Sequence, residues 1–215
     1  MQHSAYDWTN EQLEQLTIKI IQDGERQGVC LRALGGIAIR LLCRDVIAQH
    51  PELDRKCGDI DLAGLGKDMK RIGDVMERHG FQPHKEFNFV NESSRLLFSK
   101  DRLKIDVLLD EFRMNHKWPI RDRLHIEKYT LPFEDLVLSK LQVVHLTRKD
   151  FLDLLVLGLS NRAENADMKY LGRVAASSWG FTHTVLRNLE RVMKEGNSVV
   201  DQGADKALVF FERLL

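Results

Sequence analysis

The apolar residues in the first half of the chain alternate between helical spacing and short, strand-like runs. Helices are predicted where apolar side chains recur three and four positions apart, and strands where a short, mostly apolar run stands between turn-forming or charged residues. These patterns predict helices over residues 9–23, 37–42 and 67–79, and strands over residues 29–34, 58–64, 87–90, 95–98 and 103–109. Lys100 and Asp101 form the predicted turn of a hairpin between the last two strands.

The second half of the chain shows helical periodicity alone. Residues 136–146 are apolar enough to predict a buried helix, and further helices are predicted over residues 169–176, 184–194 and 205–215. We therefore expect an α/β (α+β) fold with a mixed β-sheet of about five strands flanked by helices. The sheet domain is assigned to residues 1–130 and a helical C-terminal subdomain to residues 131–215.

Composition excludes some classes of protein without naming a partner. The 32 basic and 32 acidic side chains balance, which argues against a protein that coats nucleic acid. The apolar runs are too short for a membrane span and the N-terminus is polar, so we expect a cytoplasmic protein without membrane association. Cys30, Cys43 and Cys57 are odd in number and lack the spacing of a metal site, which predicts reduced core thiols.

An Asp-x-Asp pair lies in the predicted strand over residues 58–64. Alternate strand residues share a face, so Asp59 and Asp61 present two carboxylates on one side while Ile60 and Leu62 pack on the other. Carboxylates about 6–7 Å apart repel by about 2–3 kcal/mol at an effective dielectric near 20, and a cation between them would remove that cost. Mg²⁺ is the cation expected at such oxygen ligands. The alternative is a solvated strand edge.

Two further features have a chemical and a structural interpretation. Gly35 and Gly36 stand between a predicted strand and helix, where backbone N–H groups can approach a phosphate without a Cβ in the way; the alternative is a tight turn that needs glycine. Asp106 is the acidic residue of the otherwise largely apolar strand 103–109. A buried, unpaired carboxylate is costly, so Asp106 should have either a metal or a salt-bridge partner.

The order of these elements resembles the nucleotidyltransferase-fold superfamily. Its pattern is a Gly-Gly or Gly-Ser turn, an Asp-x-Asp strand and a third carboxylate on a neighbouring strand, matched here by Gly35, Gly36, Asp59, Asp61 and Asp106. The resemblance implies an enzyme that moves a nucleoside monophosphate from a nucleoside triphosphate to an acceptor hydroxyl, with Mg²⁺ or Mn²⁺ as cofactor. The three aspartates would be the metal-binding and catalytic residues, and the two glycines would seat the phosphates.

The downstream sequence TLPFEDLVLSKL followed by RKDFLDL resembles AbiEii-type toxins and related uncharacterised nucleotidyltransferases. That resemblance implies a catalytic and nucleotide-binding role for Lys140, a catalytic role for Asp150, and an antitoxin partner. From the residues alone, Lys140 lies in an apolar helix and requires an anionic partner. A substrate phosphate and the nearby Asp150 or Asp153 both remain open, and helix capping is the structural alternative for the aspartates.

Three questions stay open in the sequence. A basic stretch comprising Arg113, Lys117, Arg121, Arg123 and Lys128 either grips the acceptor's phosphates or is a solvated connection between subdomains. The acceptor is an RNA end, a protein side chain or a small molecule, and no residue pattern chooses among them. The alternative to an enzyme is a catalytically silent nucleotide- or partner-binding domain of the same fold.

Overall fold

The structure, a computed structural model, describes residues 8–91, 93–199 and 204–214. The described chain divides into two units, each assembled from separate stretches of sequence. The first unit takes the described parts of residues 1–41, 56–113 and 119–131, and the second takes those of residues 42–55, 114–118 and 132–215. Residues 42–55 and 114–118, which precede the predicted boundary at residue 131, therefore belong with the C-terminal helices.

The first unit contains a five-stranded mixed sheet, which confirms the predicted fold class. Its strands are β1 (Arg32–Leu34), β2 (Ile60–Gly64), β3 (Gln82–Pro83), β4 (Arg95–Lys100) and β5 (Leu103–Leu109), in the order β1-β2-β5-β4-β3. β2 and β5 are parallel, and the other neighbouring pairs are antiparallel. Two short strands, β6 (Glu111–Arg113) and β7 (Lys117–Pro119), follow β5 in the chain.

Helices account for most of the remaining described chain. They are α1 (Asn10–Arg26), α2 (Gly35–Leu42), α3 (Arg44–Gln49), α4 (Met69–Arg78), α5 (Lys85–Asn91), α6 (Phe133–Leu141), α7 (Arg148–Leu159), α8 (Met168–Ala175), α9 (Trp179–Glu195) and α10 (Ala204–Glu212). The predicted capping box opens α1: the Thr9 hydroxyl accepts a hydrogen bond from the backbone N–H of Gln12. The C-terminal helices form close to the predicted positions, although Leu215 lies outside the described residues.

Burial of one sheet face fixes how β2 and β5 pair. Ile60 lies opposite Ile105 and Leu62 opposite Val107, and all four side chains are fully buried. Each such side chain contributes roughly 1.5–3 kcal/mol of transfer free energy when it leaves water. Because successive strand residues point to opposite faces, this apolar face places the intervening residues of both strands together on the other face.

The strand predicted over residues 87–90 is wrong, because these residues lie in α5. A helix side chain and a loop residue pair with the backbone of Leu97 in β4. The Asn88 Oδ1 accepts a hydrogen bond from Leu97 N at 2.7 Å, and His84 N donates to Leu97 O at 2.9 Å. With these groups paired, no strand over residues 87–90 is needed beside β4. The strand propensity of Phe and Val is therefore overridden by tertiary context.

The second unit is built around α7. Every residue from Phe151 to Leu159 is buried, including Asp153, as expected of a helix surrounded by other elements. Gly158 allows close approach of α10, since a Cβ there would lie 2.9 Å from the Ala207 Cβ. The predicted helix over residues 136–146 is α6, which begins at Phe133 and ends at Leu141. Of the helices in the described ranges, none combines the length and the hydropathy needed to cross a membrane.

The buried cysteines should be chemically inert in the folded protein. Cys43 and Cys57 are 0% and 3% exposed, and burial raises the pKa of the Cys43 thiol to about 11, so little of the reactive thiolate forms near neutral pH. We expect Ellman's reagent to titrate all 3 thiols in denaturant, but to modify Cys43 and Cys57 only slowly in the native protein. Cys30, which is partly exposed, should react first, and Cys30→Ser should remove that phase. If all three thiols of the native protein reacted rapidly, the described burial of Cys43 and Cys57 would be contradicted.

Candidate active site

Two of the predicted carboxylates lie side by side on the sheet. Asp61 of β2 and Asp106 of β5 are direct partners in the parallel register, so their side chains leave the same sheet face. Neighbouring strands are about 4.8 Å apart, and two unit charges at about 5 Å repel by about 3 kcal/mol at an effective dielectric near 20. This pair therefore needs a compensating positive charge, supplied by the protein or by a ligand.

Asp59 lies in the segment that leads into β2, two residues before Asp61, and its side chain is exposed. Within the ranges that the structure describes, no group of three histidine, cysteine or acidic side chains is arranged as a ready metal site. The fit to Mg²⁺ therefore depends on the oxygen donors of Asp61 and Asp106, which are of the type that this cation prefers. Of the three predicted aspartates, the structure therefore pairs Asp61 with Asp106, and Asp59 does not complete a three-carboxylate group with them within the described residues.

Gly35 is required by the position of Asp61. Its φ is +70°, a left-handed conformation that favours glycine, and a Cβ on Gly35 would lie 2.2 Å from the Asp61 Oδ2. The antiparallel register explains this proximity, because Leu34, the residue before Gly35, lies opposite Asp61. Gly36 is the second residue of α2. The predicted Gly-Gly turn thus meets the predicted Asp-x-Asp strand at one point.

Arg95 is a site residue that the sequence interpretation missed. Its Nε donates hydrogen bonds to Asp106 Oδ1 at 2.8 Å and Oδ2 at 3.0 Å, and its Nη2 donates to Oδ2. The hydrogen bonds to Asp106 raise the pKa of Arg95, burial opposes them, and the nearby charges of Asp106 and Asp61 add to the increase. The guanidinium also lies over the Phe87 ring, 5.8 Å from its centroid.

The register of the predicted hairpin could have identified Arg95 as a neighbour of Asp106. A turn at Lys100 and Asp101 pairs Lys100 with Leu103, and counting back places Leu97 opposite Asp106. Arg95, two residues earlier, then lies on the same face and diagonal to Asp106, within reach of a long side chain.

Lys140 and Asp150 belong to the second unit, where they form an ion-pair cluster. Lys140 Nζ lies 3.1 Å from Asp150 Oδ1 and 2.8 Å from Asp153 Oδ2, and Arg55 binds both oxygens of Asp153 at 2.7 and 2.6 Å. Asp150 also caps α7, accepting a hydrogen bond from the Thr147 hydroxyl at 2.7 Å. Of the two anionic partners left open for Lys140, the structure contains the aspartates.

The charges in this cluster reinforce one another. Burial by itself would lower the pKa of Lys140, but Asp153 and Asp150 outweigh burial and raise it. Burial likewise would raise the pKa of Asp150, but Lys140 and the hydrogen bonds from Thr147 lower it. Lys140 and Asp150 therefore hold each other in the charged state, and the capping and ion-pairing interpretation describes their arrangement.

A separate pocket of about 320 Å³ lies in the first unit and is lined by Leu65, Lys67, Asp110, Arg121, Asp122 and His125. Leu65 follows β2 and Asp110 follows β5, each four residues beyond an aspartate of the carboxylate pair, a distance of about 13 Å along a strand. Arg121, part of the basic stretch, pairs with Asp110 at 3.1 Å. This pocket is therefore distinct from the pair of Asp61 and Asp106.

No family model and no curated protein matches the chain. Among solved structures, the antibiotic-resistance factor ANT(2'')-Ia has a TM-score of 0.44 and 11% identity, covering 94% of this chain and 91% of that one. A tRNA-processing enzyme in an apo form has a TM-score of 0.36 and 15% identity, covering 86% of this chain and 49% of that one. With TM-scores below 0.5, these similarities leave the function to be argued from the residues.

Gly35→Ala should destabilise the first unit and displace the Asp61 carboxylate. The left-handed conformation costs a non-glycine residue about 1–2 kcal/mol, and the new Cβ overlaps the Asp61 Oδ2. Denaturant unfolding should show a loss of at least that size. Gly73→Ala in α4 is the matched control, because its Cβ meets no atom within 4 Å and a helical alanine is about 1 kcal/mol more favourable. Equal stability of Gly35→Ala and wild type would contradict the described contact.

Lys140→Met should lower the free energy of unfolding by roughly 3–5 kcal/mol, because Asp150 loses its buried cation and Asp153 keeps only Arg55. Denaturant unfolding measures this change. Lys206→Met is the control: Lys206 pairs with Glu164 at an exposed position, where an ion pair contributes about 0–1 kcal/mol. A stable Lys140→Met variant that loses turnover per folded molecule would instead support the catalytic role implied by the family resemblance.

Proposed function

We propose that this protein is a nucleotidyltransferase that moves a nucleoside monophosphate from a nucleoside triphosphate to an acceptor hydroxyl. The observation that carries the proposal is the placement of Asp61 and Asp106 on one face of neighbouring strands, with Gly35 against the Asp61 carboxylate. Three features far apart in sequence, a glycine turn, the second aspartate of the Asp-x-Asp pair and a third aspartate, thereby meet at one place. A solvated strand edge would require none of these coincidences.

In the proposed reaction, the acceptor oxygen forms a bond to the α-phosphorus, the bond from that phosphorus to the α–β bridging oxygen breaks, and pyrophosphate leaves. Asp59 and Asp61 would hold Mg²⁺, or Mn²⁺, with Asp106 as the further ligand or as the base that takes the hydroxyl proton. The cation, when bound, supplies positive charge to the triphosphate oxygens. Gly35 and Gly36, at the start of α2, would offer backbone N–H groups to the phosphates.

The hydroxyl acceptor belongs to an RNA end, a protein side chain or a small molecule, which the transfer assay below separates. Lys140 and Asp150 enter the proposal only through the family resemblance, because they are paired with each other in the second unit. The antitoxin partner and the toxin role likewise enter only through the sequence that resembles AbiEii-type toxins.

A catalytically silent nucleotide-binding domain is the competing proposal, and one observation favours it. Both oxygens of Asp106 accept hydrogen bonds from Arg95, so this carboxylate already has a protein partner. A domain that binds a nucleotide without transferring it would show Mg²⁺-dependent nucleotide affinity and no labelled product. Turnover therefore decides between the two proposals.

The transfer assay uses each α-labelled nucleoside triphosphate with Mg²⁺ and total RNA or cell lysate. Wild type should label an acceptor in a reaction that EDTA stops, and Asp61→Asn should reduce labelling by about 100-fold or more, equivalent to about 2.7 kcal/mol. The melting temperature of Asp61→Asn should stay level or rise slightly, because the variant removes like-charge repulsion. Asp74→Asn, an exposed position on α4, is the matched control and should retain activity.

Absence of any labelled product from wild type, with nucleotide affinity intact, would replace the transferase proposal with the silent binding domain. Unfolding of Asp61→Asn would instead mark Asp61 as a structural ion-pair residue.

A further inference from the structure

The fork of hydrogen bonds from Arg95 covers the oxygens that a metal would use at Asp106. The guanidinium reaches Oδ1 at 2.8 Å and Oδ2 at 3.0 Å through Nε, with Nη2 also on Oδ2. Such a bidentate arrangement fixes the carboxylate plane as well as neutralising its charge. Arg95 thus fixes the orientation of the Asp106 carboxylate on the sheet face that Asp106 shares with Asp61.

A divalent cation and this guanidinium would compete for one place. Mg²⁺ and its close analogue Mn²⁺ bind carboxylate oxygens at about 2.0–2.1 Å, which requires a lone pair directed at the metal. A carboxylate has about four lone-pair directions, and the hydrogen bonds from Arg95 use most of them while the guanidinium repels a second positive charge. The cation therefore binds Asp106 more strongly when Arg95 withdraws.

Arg95 is placed so that it can withdraw. Its side chain is 38% exposed, compared with 17% for Asp106, and the guanidinium lies over the Phe87 ring. Phe87 belongs to α5, a helix without a buried residue among its described side chains. Breaking this ion pair therefore exposes Arg95 to water and does not strand a charge in the core.

From these observations we infer that Arg95 substitutes for the divalent cation at Asp106 and sets the affinity of the carboxylate pair for that cation. The inference depends on the proposed function in one respect, because both take Asp61 and Asp106 to form a cation site. Arg95 is a positioning residue: it acts through Asp106, holding the carboxylate ready while no cation is bound.

Mn²⁺ binding to the nucleotide-free protein, measured by electron paramagnetic resonance, tests the inference. Arg95→Gln should bind Mn²⁺ more tightly than wild type by about tenfold or more, because the competing positive charge is gone. The control Arg113→Gln removes an arginine that pairs with Glu111 in an exposed position of the same unit, and its affinity should equal that of wild type. The double variant Arg95→Gln, Asp61→Asn should lose the gain.

Thermal melting gives a second readout that does not depend on activity. Without metal, Arg95→Gln should melt below wild type, and Mn²⁺ should raise its melting temperature more than that of wild type. An Arg95→Gln affinity equal to or weaker than wild type, or a gain that persists without Asp61, would overturn the inference. So would the absence of Mn²⁺ binding in both proteins. Tight Mn²⁺ binding by Arg95→Gln without nucleotidyl transfer by wild type would uphold the inference while the proposed function fails.

Discussion

The parallel register of β2 and β5 places two like charges side by side, and the apolar face of the same strands makes that register obligatory. Ile60 against Ile105 and Leu62 against Val107 fill the buried face. A slip of one residue would turn the carboxylates into the core and the apolar side chains to the opposite face. The free energy that holds the sheet together therefore also holds two like charges side by side.

Local sequence patterns predicted the elements around the site because their causes are local. The capping box at Thr9, the two glycines at the start of α2 and the hairpin turn at Lys100 and Asp101 act over a few residues, and all three features appear in the structure. The pairing of Asp61 with Asp106 joins strands that are separated in the chain by α4, β3, α5 and β4. The sequence therefore predicted two acidic strands, whereas their register depended on packing across the sheet.

The strand that was wrong and the partner of Lys140 that the sequence left open have the same origin. Residues 87–90 have strand propensity, but Asn88 and the His84 backbone satisfy Leu97 at the edge of β4, and helical geometry prevails. For Lys140, the sequence predicts that a lysine in an apolar helix needs an anionic partner, but it does not predict which one. The choice between a phosphate and Asp150 depends on where α7 packs against α6, a contact between helices that periodicity does not encode.

The ion pairs of Lys140 with Asp153 and of Arg95 with Asp106 differ in how far their side chains are exposed to solvent. In the second unit, Lys140 and Asp153 are 11% and 6% exposed, so opening this pair would leave a buried charge with fewer partners. In the first unit, Arg95 is 38% exposed and can return to water when it releases Asp106. An ion pair that can open at modest cost can exchange its protein cation for one carried by a ligand. The same chemistry, a carboxylate facing a cation, is therefore costly to separate where it is buried and less costly to separate where it reaches solvent.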